Sequence, residues 1–160
     1  MRKLVLLGLF FLIPATAFAD ITAFLGINSS PSNRMVRGFS GGFGLVIVAF
    51  EFEYGNTSED LMEGAPSLKT YMFNGLLQTP FPIGGVQPYA TAGGGIYNEH
   101  LTQVPEDISE THVGINVGGG AKINLFGPLR LRLDYRVFKL NGSPLYSNPK
   151  RFYAGINLKF

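Results

Sequence analysis

The last ten residues constrain this chain more than any others. Phe152, Ala154, Ile156, Leu158 and Phe160 share one parity, and the apolar series runs out on the terminal aromatic. Period-2 alternation of that kind is a β-strand with one apolar face. A strand that finishes this way in water leaves a sticky edge. In a closed sheet, where the last strand pairs with the first and the outer wall meets lipid, the same strand is in place.

The other end reads as a secretion signal spanning residues 1–19. Arg2 and Lys3 form the basic start, Leu4 to Ile13 the apolar stretch, and Ala17-Phe18-Ala19 the small-x-small cleavage site. The mature chain is expected to begin at Asp20, so that residues 20–160 form one domain. The apolar stretch is too short for a helical span, and no later stretch is longer. Without Arg2 and Lys3 the 13 basic residues become 11, equal to the 11 acids. A neutral chain has no global electrostatic reason to bind nucleic acid. Cys is absent, so no disulfide framework is available.

Between these ends the chain reads as eight strands. Ile21, Ala23, Leu25 and Ile27 form the apolar side of the first, and Asn28 to Arg37 reads as a polar loop. Phe39, Gly41, Phe43 and Leu45 face one way, then Phe50, Phe52 and Tyr54 do. The parity change requires a tight turn or bulge near Val46 to Ala49, although no Gly or Pro marks it. Asn56 to Ser67 is a second loop, Leu68 to Gln78 a fourth strand, and Thr79 to Gly85 a compact turn. Gln87 to Asn98 is the fifth strand, with an acidic loop following to Glu110. Val113 to Leu125 and Leu129 to Val137 are strands six and seven, joined by a sharp turn at Phe126-Gly127-Pro128. Asn141 to Pro149 is the last loop. Long connections are expected after odd-numbered strands and short ones after even-numbered strands, with both termini at the short-turn, periplasmic end.

Alternation alone does not say which face meets water. A solvated face has no need of glycine, which weakens strands, yet Gly26, Gly42, Gly44, Gly93, Gly95, Gly114, Gly118, Gly120 and Gly155 share the parity of the charges. A narrow eight-strand interior does need small residues beside long ones. The charged face is therefore expected inside. Glu51, Glu53, Lys122, Arg130, Arg132, Asp134 and Arg136 would form a carboxylate–guanidinium plug.

Sites for chemistry are scarce. Gly114 to Lys122 lacks the Gly-Lys-Ser/Thr ending of a phosphate loop and lies within a strand. His100 and His112 have no metal-ligand spacing. Ser109, Glu110 and His112 cluster, but neighbours on one strand do not build a triad without partners from elsewhere. No catalytic residue, metal or cofactor is expected, and the chain is read as a non-enzyme.

The loops carry opposite charges. Arg34 and Arg37 belong to loop one, and Lys150 and Arg151 follow loop four; the two loops neighbour each other if strand eight pairs with strand one. Glu59, Asp60, Glu63, Glu99, Glu106, Asp107 and Glu110 belong to loops two and three. A basic rim for lipopolysaccharide phosphates is expected on one side, and an acidic rim for cations or a cationic partner on the other.

The tail resembles the C-terminal insertion signal of bacterial outer-membrane proteins: Phe160 last, Phe152, Ile156 and Leu158 alternating before it, and Gly155 upstream. Pro88-Tyr89-Ala90-Thr91-Ala92-Gly93-Gly94-Gly95-Ile96-Tyr97 is similar to a Pro-Tyr-x-x-Ala-Gly-x-Gly segment of the small outer-membrane barrels of the OmpA-membrane-domain, OmpX and opacity type. That resemblance implies an all-β, eight-stranded antiparallel up-and-down transmembrane barrel in the bacterial outer membrane, inserted by the barrel-assembly machinery. It also implies a monomer with a structural or surface-contact role amid lipid and lipopolysaccharide. No peptidoglycan-binding domain follows Phe160, so a cell-wall tether is not expected. Three alternatives stay open: a narrow pore, a lipopolysaccharide-modifying enzyme, and a soluble periplasmic barrel binding a small apolar ligand.

Overall fold

The computed structural model describes residues 17–102 and 108–160. Its strands are β1 (Ala17–Ser29), β2 (Asn33–Leu45), β3 (Val48–Thr57), β4 (Ser67–Gln78), β5 (Val86–Leu101), β6 (Ile108–Phe126), β7 (Leu129–Leu140) and β8 (Lys150–Lys159). Each pairs antiparallel with the next, and β8 closes on β1 from Asp20↔Lys159 to Asn28↔Arg151. Closure leaves no free edge. Ala17–Ala19, which the processing signal assigns to the removed segment, continue β1, and Ala19 and Phe160 exchange two backbone hydrogen bonds.

The polarity is inverted relative to a water-soluble barrel. Phe43, Leu77 and Val117 on the outer wall are 62%, 61% and 60% exposed, whereas Arg132, Arg136 and Arg151 inside are 0% exposed. An apolar surface continuous round the barrel far exceeds what a soluble monomer leaves in water. Among the outward rings, Phe43 leans on Phe50 and Phe50 stacks on Phe73; nearer the loops Phe39, Tyr54 and Tyr71 form a second row. The alternative of a soluble barrel with a ligand-filled apolar interior is overturned by this distribution.

One feature agrees with the pattern read in the sequence and one differs. The parity change between β2 and β3 is a two-residue turn at Val46–Ile47, with Val46 at φ 42°. The region is unfavourable for a β-branched residue, and the pairing of Leu45 with Val48 imposes it. The long loop expected over Asn28 to Arg37 is instead a hairpin whose loop is residues 30–32, with Asn28 paired to Arg34 and Leu25 to Arg37. Its composition looked loop-like because Asn28 and Arg34 are polar, but both point into the barrel and are buried. The long–short alternation fails there, since the 79–85 connection at the terminal end is longer than the first loop.

Candidate functional site

The interior is the most elaborated part of the molecule. Alternation on β3 turns Glu51 and Glu53 inward, and on β7 Arg130, Arg132, Asp134 and Arg136. Lys122 comes from β6. The structure thus places all seven expected lumen charges inside, and adds Asp20 from β1 and Arg151 from β8. Arg132 is bidentate to Glu51 and donates Nη2 to Asp134 at 3.1 Å. Arg136 Nη2 reaches Glu51 Oε1 at 3.1 Å and its Nε reaches Asp134 Oδ1 at 2.8 Å, while Nη1 lies 3.2 Å from Glu53 Oε2. Arg151 Nη1 and the Tyr153 hydroxyl donate to the two oxygens of Glu53 at 3.1 and 3.0 Å. Nearer the terminal end, Asp20 accepts from Lys122 at 2.6 Å and Arg130 at 3.1 Å, and Arg130 also holds Asn157 and Gln87.

Four buried carboxylates (Asp20, Glu51, Glu53, Asp134) thus meet five buried cations (Lys122, Arg130, Arg132, Arg136, Arg151). Planar guanidinium forks suit this packing because each can serve two carboxylates at once. Aromatic rings take up further positive charge: Arg151 lies 4.5 Å from the Phe138 ring centroid and Arg132 5.0 Å from that of Tyr89. Glycines make the seats. A Cβ on Gly55 would lie 2.6 Å from Arg151 Nη1, and one on Gly120 2.6 Å from the Tyr89 hydroxyl.

Toward the loops the lumen turns apolar. Leu68, Met72, Tyr97, Phe138 and Leu140 form a buried cluster there, and Phe24 stacks on Tyr153 with Val36 beside them. These inward apolar residues went unread in the sequence because their strands alternate with other apolar residues. Phe24 is the clearest example, with Ala23 and Leu25 outward on either side. Arg151 and Arg34 carried a usable signal. Each shares the parity of an inward glycine on its strand, Gly155 and Gly38 respectively.

The expected basic rim therefore divides. Arg151 belongs to the lumen network, and Arg34 is buried at the mouth, where it donates to the carbonyls of Ser30, Ser58 and Pro66 and ties loops one and two together. Arg37 and Lys150 do face outward. Lys69 and Lys139, not assigned a role in the sequence, join them on the outer face of the loop-end half. Of the expected acidic rim, Glu99 is buried and accepts from the Leu145 amide at 3.2 Å. Glu59 binds the Thr102 amide, and Asp60 holds the Met62 amide at 3.1 Å, with Glu63 exposed beside it. Glu110 sits 2.7 Å from His112 Nε2. Glu106 and Asp107 lie outside the described residues. Much of the acidic set thus stitches loops to one another. Of the tail, Phe152, Ile156, Leu158 and Phe160 are exposed on the outer wall, while Gly155 faces inward beneath Phe24.

The four carboxylates of the network are all engaged by cations, whereas Glu99, inward on β5 at the mouth, accepts from the Leu145 amide and has no ion pair among the described residues. At the loop end, Ser109 and His112 occupy opposite parities of β6, so their side chains leave the strand on opposite faces.

A family model described as outer membrane protein beta-barrel domain matches residues 16–160. Among solved structures, the N-terminal β-barrel domain of Pseudomonas aeruginosa OprF is similar at TM-score 0.70 and 17% identity, over 89% of this chain and 97% of that one. Neisserial surface protein A is similar at TM-score 0.70 and 17% identity, over 90% and 97%. The attachment invasion locus protein Ail of Yersinia pestis is similar at TM-score 0.59 and 13% identity, over 90% and 97%. No curated protein matches the sequence.

Proposed function

Because the chain belongs to the outer membrane protein β-barrel family and resides in the bacterial outer membrane, we propose that it is a sealed, monomeric barrel with a structural and surface-contact role. The observation that carries this reading is the lumen, in which a paired charge network and an apolar cluster follow one another along the axis. Solute would have to displace fully buried guanidiniums from their carboxylates, and breaking one such pair costs about 3–5 kcal/mol. That weighs against the narrow-pore alternative. The placement of Ser109 and His112 weighs against the lipopolysaccharide-modifying alternative.

The loop end faces outward in this reading and the termini face the periplasm. Arg37, Lys69, Lys139 and Lys150 form an outer belt of cations at that end, suited to the phosphates of lipopolysaccharide. The loops, joined through Arg34, Glu59 and Glu99, present a fixed surface to external partners. Insertion through the barrel-assembly machinery would use the alternating tail from Phe152 to Phe160.

Planar-bilayer recording tests the seal. Refolded protein should give no conductance steps above the protein-free membrane. Regular steps from wild-type protein would refute the plug and restore the pore.

A further inference from the structure

The outer wall is not uniformly filled. Across β8, β1 and β2 the outward positions Ala154 and Ala23 are small, while Leu25, Phe39, Tyr54 and Ile156 around them are large. The result is a groove of about 780 Å³. It begins at Leu131, near the terminal end of β7, and reaches Arg37 and Asn56 in the loop-end half. Its floor is backed from inside by the stacked rings of Phe24 and Tyr153, 4.0 Å apart, and the Tyr153 hydroxyl is fixed on Glu53. The floor of the groove is thereby held from the inside.

Arg37 is the charged residue of this lining and takes part in no ion pair among the described residues. A lone cation on a lipid-facing wall costs about 2–4 kcal/mol at mid-membrane and about 0–1 near the interface. Arg37 has to reach a headgroup, and a phosphate is the partner its guanidinium fits in bidentate fashion. A second groove, of about 430 Å³ between Val48, Leu77, Ala90, Ala92 and Val117, has no charged residue in its lining. An apolar trough alone is thus generic on this wall, and the trough ending in an arginine is not.

We infer that the β8–β1–β2 groove is a binding site for lipid A, seating one acyl chain between Ala154, Ala23 and Phe39 and a headgroup phosphate on Arg37. The inference rests on the reading that the loop end faces the lipopolysaccharide leaflet. Lys69 on β4 lies level with Arg37 two strands away, through Asn56, and favours a headgroup bearing more than one negative charge.

Native mass spectrometry of detergent-folded protein, titrated with lipid A or with phosphatidylglycerol, tests it. Each variant is first shown to be folded by its heat-dependent gel shift. Wild type should retain lipid A at least tenfold better than phosphatidylglycerol. Arg37→Gln should weaken retention about tenfold, and Ala154→Phe, which fills the groove from outside, should abolish it. Ala92→Phe, filling the second groove, should leave it unchanged. Retention unaffected by Arg37→Gln and Ala154→Phe, equal loss in Ala92→Phe, or equal retention of phosphatidylglycerol would each overturn the site. A Lys69→Gln/Lys139→Gln/Lys150→Gln variant separates the two readings. If only that variant loses lipid A, the belt stands and the groove falls; if wild type retains none, both fall.

Discussion

Arg132 is the residue whose loss should cost the barrel most. It is fully buried, bidentate to Glu51, bonded to Asp134, and donates Nε to the Tyr89 hydroxyl at 2.8 Å. Arg132→Met keeps most of the volume and removes the charge. Glu51 then retains Arg136 and the Ser40 hydroxyl, and Asp134 retains Arg136 and Tyr89, so the cluster of Glu51, Glu53 and Asp134 is left with two guanidiniums, Arg136 and Arg151, for three carboxylates. Removing one partner of a buried pair costs about 3–5 kcal/mol. At 1.4 kcal/mol per decade the folded-to-unfolded ratio falls roughly a hundredfold to several-thousandfold. With a urea slope of about 2 kcal/mol/M, the unfolding midpoint in lipid vesicles drops by roughly 1.5–2.5 M. The chain has seven Tyr and no Trp, so tyrosine fluorescence and the folded gel band report the transition. Adding Glu51→Leu restores charge balance within that cluster, two guanidiniums for two carboxylates, and should recover at least half the loss. A single variant within about 0.5 kcal/mol of wild type, with a double variant no better than the single, would show that water rather than pairing solvates the lumen.

Four further outcomes are expected. Val46→Gly relieves the positive φ in the β2–β3 turn and should raise the urea midpoint, gaining up to about 1 kcal/mol; a lowered midpoint would contradict the strain. Gly120→Ala drives a Cβ against the Tyr89 hydroxyl and the Leu133 carbonyl and should cost roughly 1–3 kcal/mol, seen as a weaker heat-shifted band. Phe138→Ala removes the centre of the loop-half cluster and the ring beneath Arg151, and should cost about 3–5 kcal/mol. If that cluster seals the barrel, the variant also conducts in planar bilayers where wild type does not. Deleting Phe160 removes the last apolar side chain of the outer wall, and membrane-inserted yield should fall severalfold by fractionation.

Strand count and closure were legible, and so was the facing of β3 and β7, because their inward positions are charged and their outward positions are branched or aromatic. The period-2 signal failed where both faces of a strand are apolar. Leu68, Met72 and Leu76 point inward on β4 while Tyr71, Phe73 and Leu77 point outward, and hydropathy alone does not separate the two sets. It also failed at the first hairpin, where polar residues signal a loop in a soluble protein but an inward strand face in an inverted barrel. Arg34 and Arg151 were displaced from lumen to rim for that reason. Pairing partners were beyond reach altogether: nothing local in Glu53 indicates Arg151, since the two meet only through closure of β8 on β1.

The charge network is divided unevenly along the chain. Asp20, Glu51 and Glu53 enter with β1 and β3, whereas Arg130, Arg132, Arg136 and Arg151 arrive with β7 and β8. A growing sheet that holds only β1 to β6 therefore encloses three carboxylates and the single amine of Lys122. Such an intermediate repels itself, and it stays open to water until the two C-terminal strands bring the guanidiniums across. Charge compensation inside is in this sense a completeness check: without β7 and β8 the carboxylates of β1 and β3 face the amine of Lys122 alone, and with them five cations meet four carboxylates.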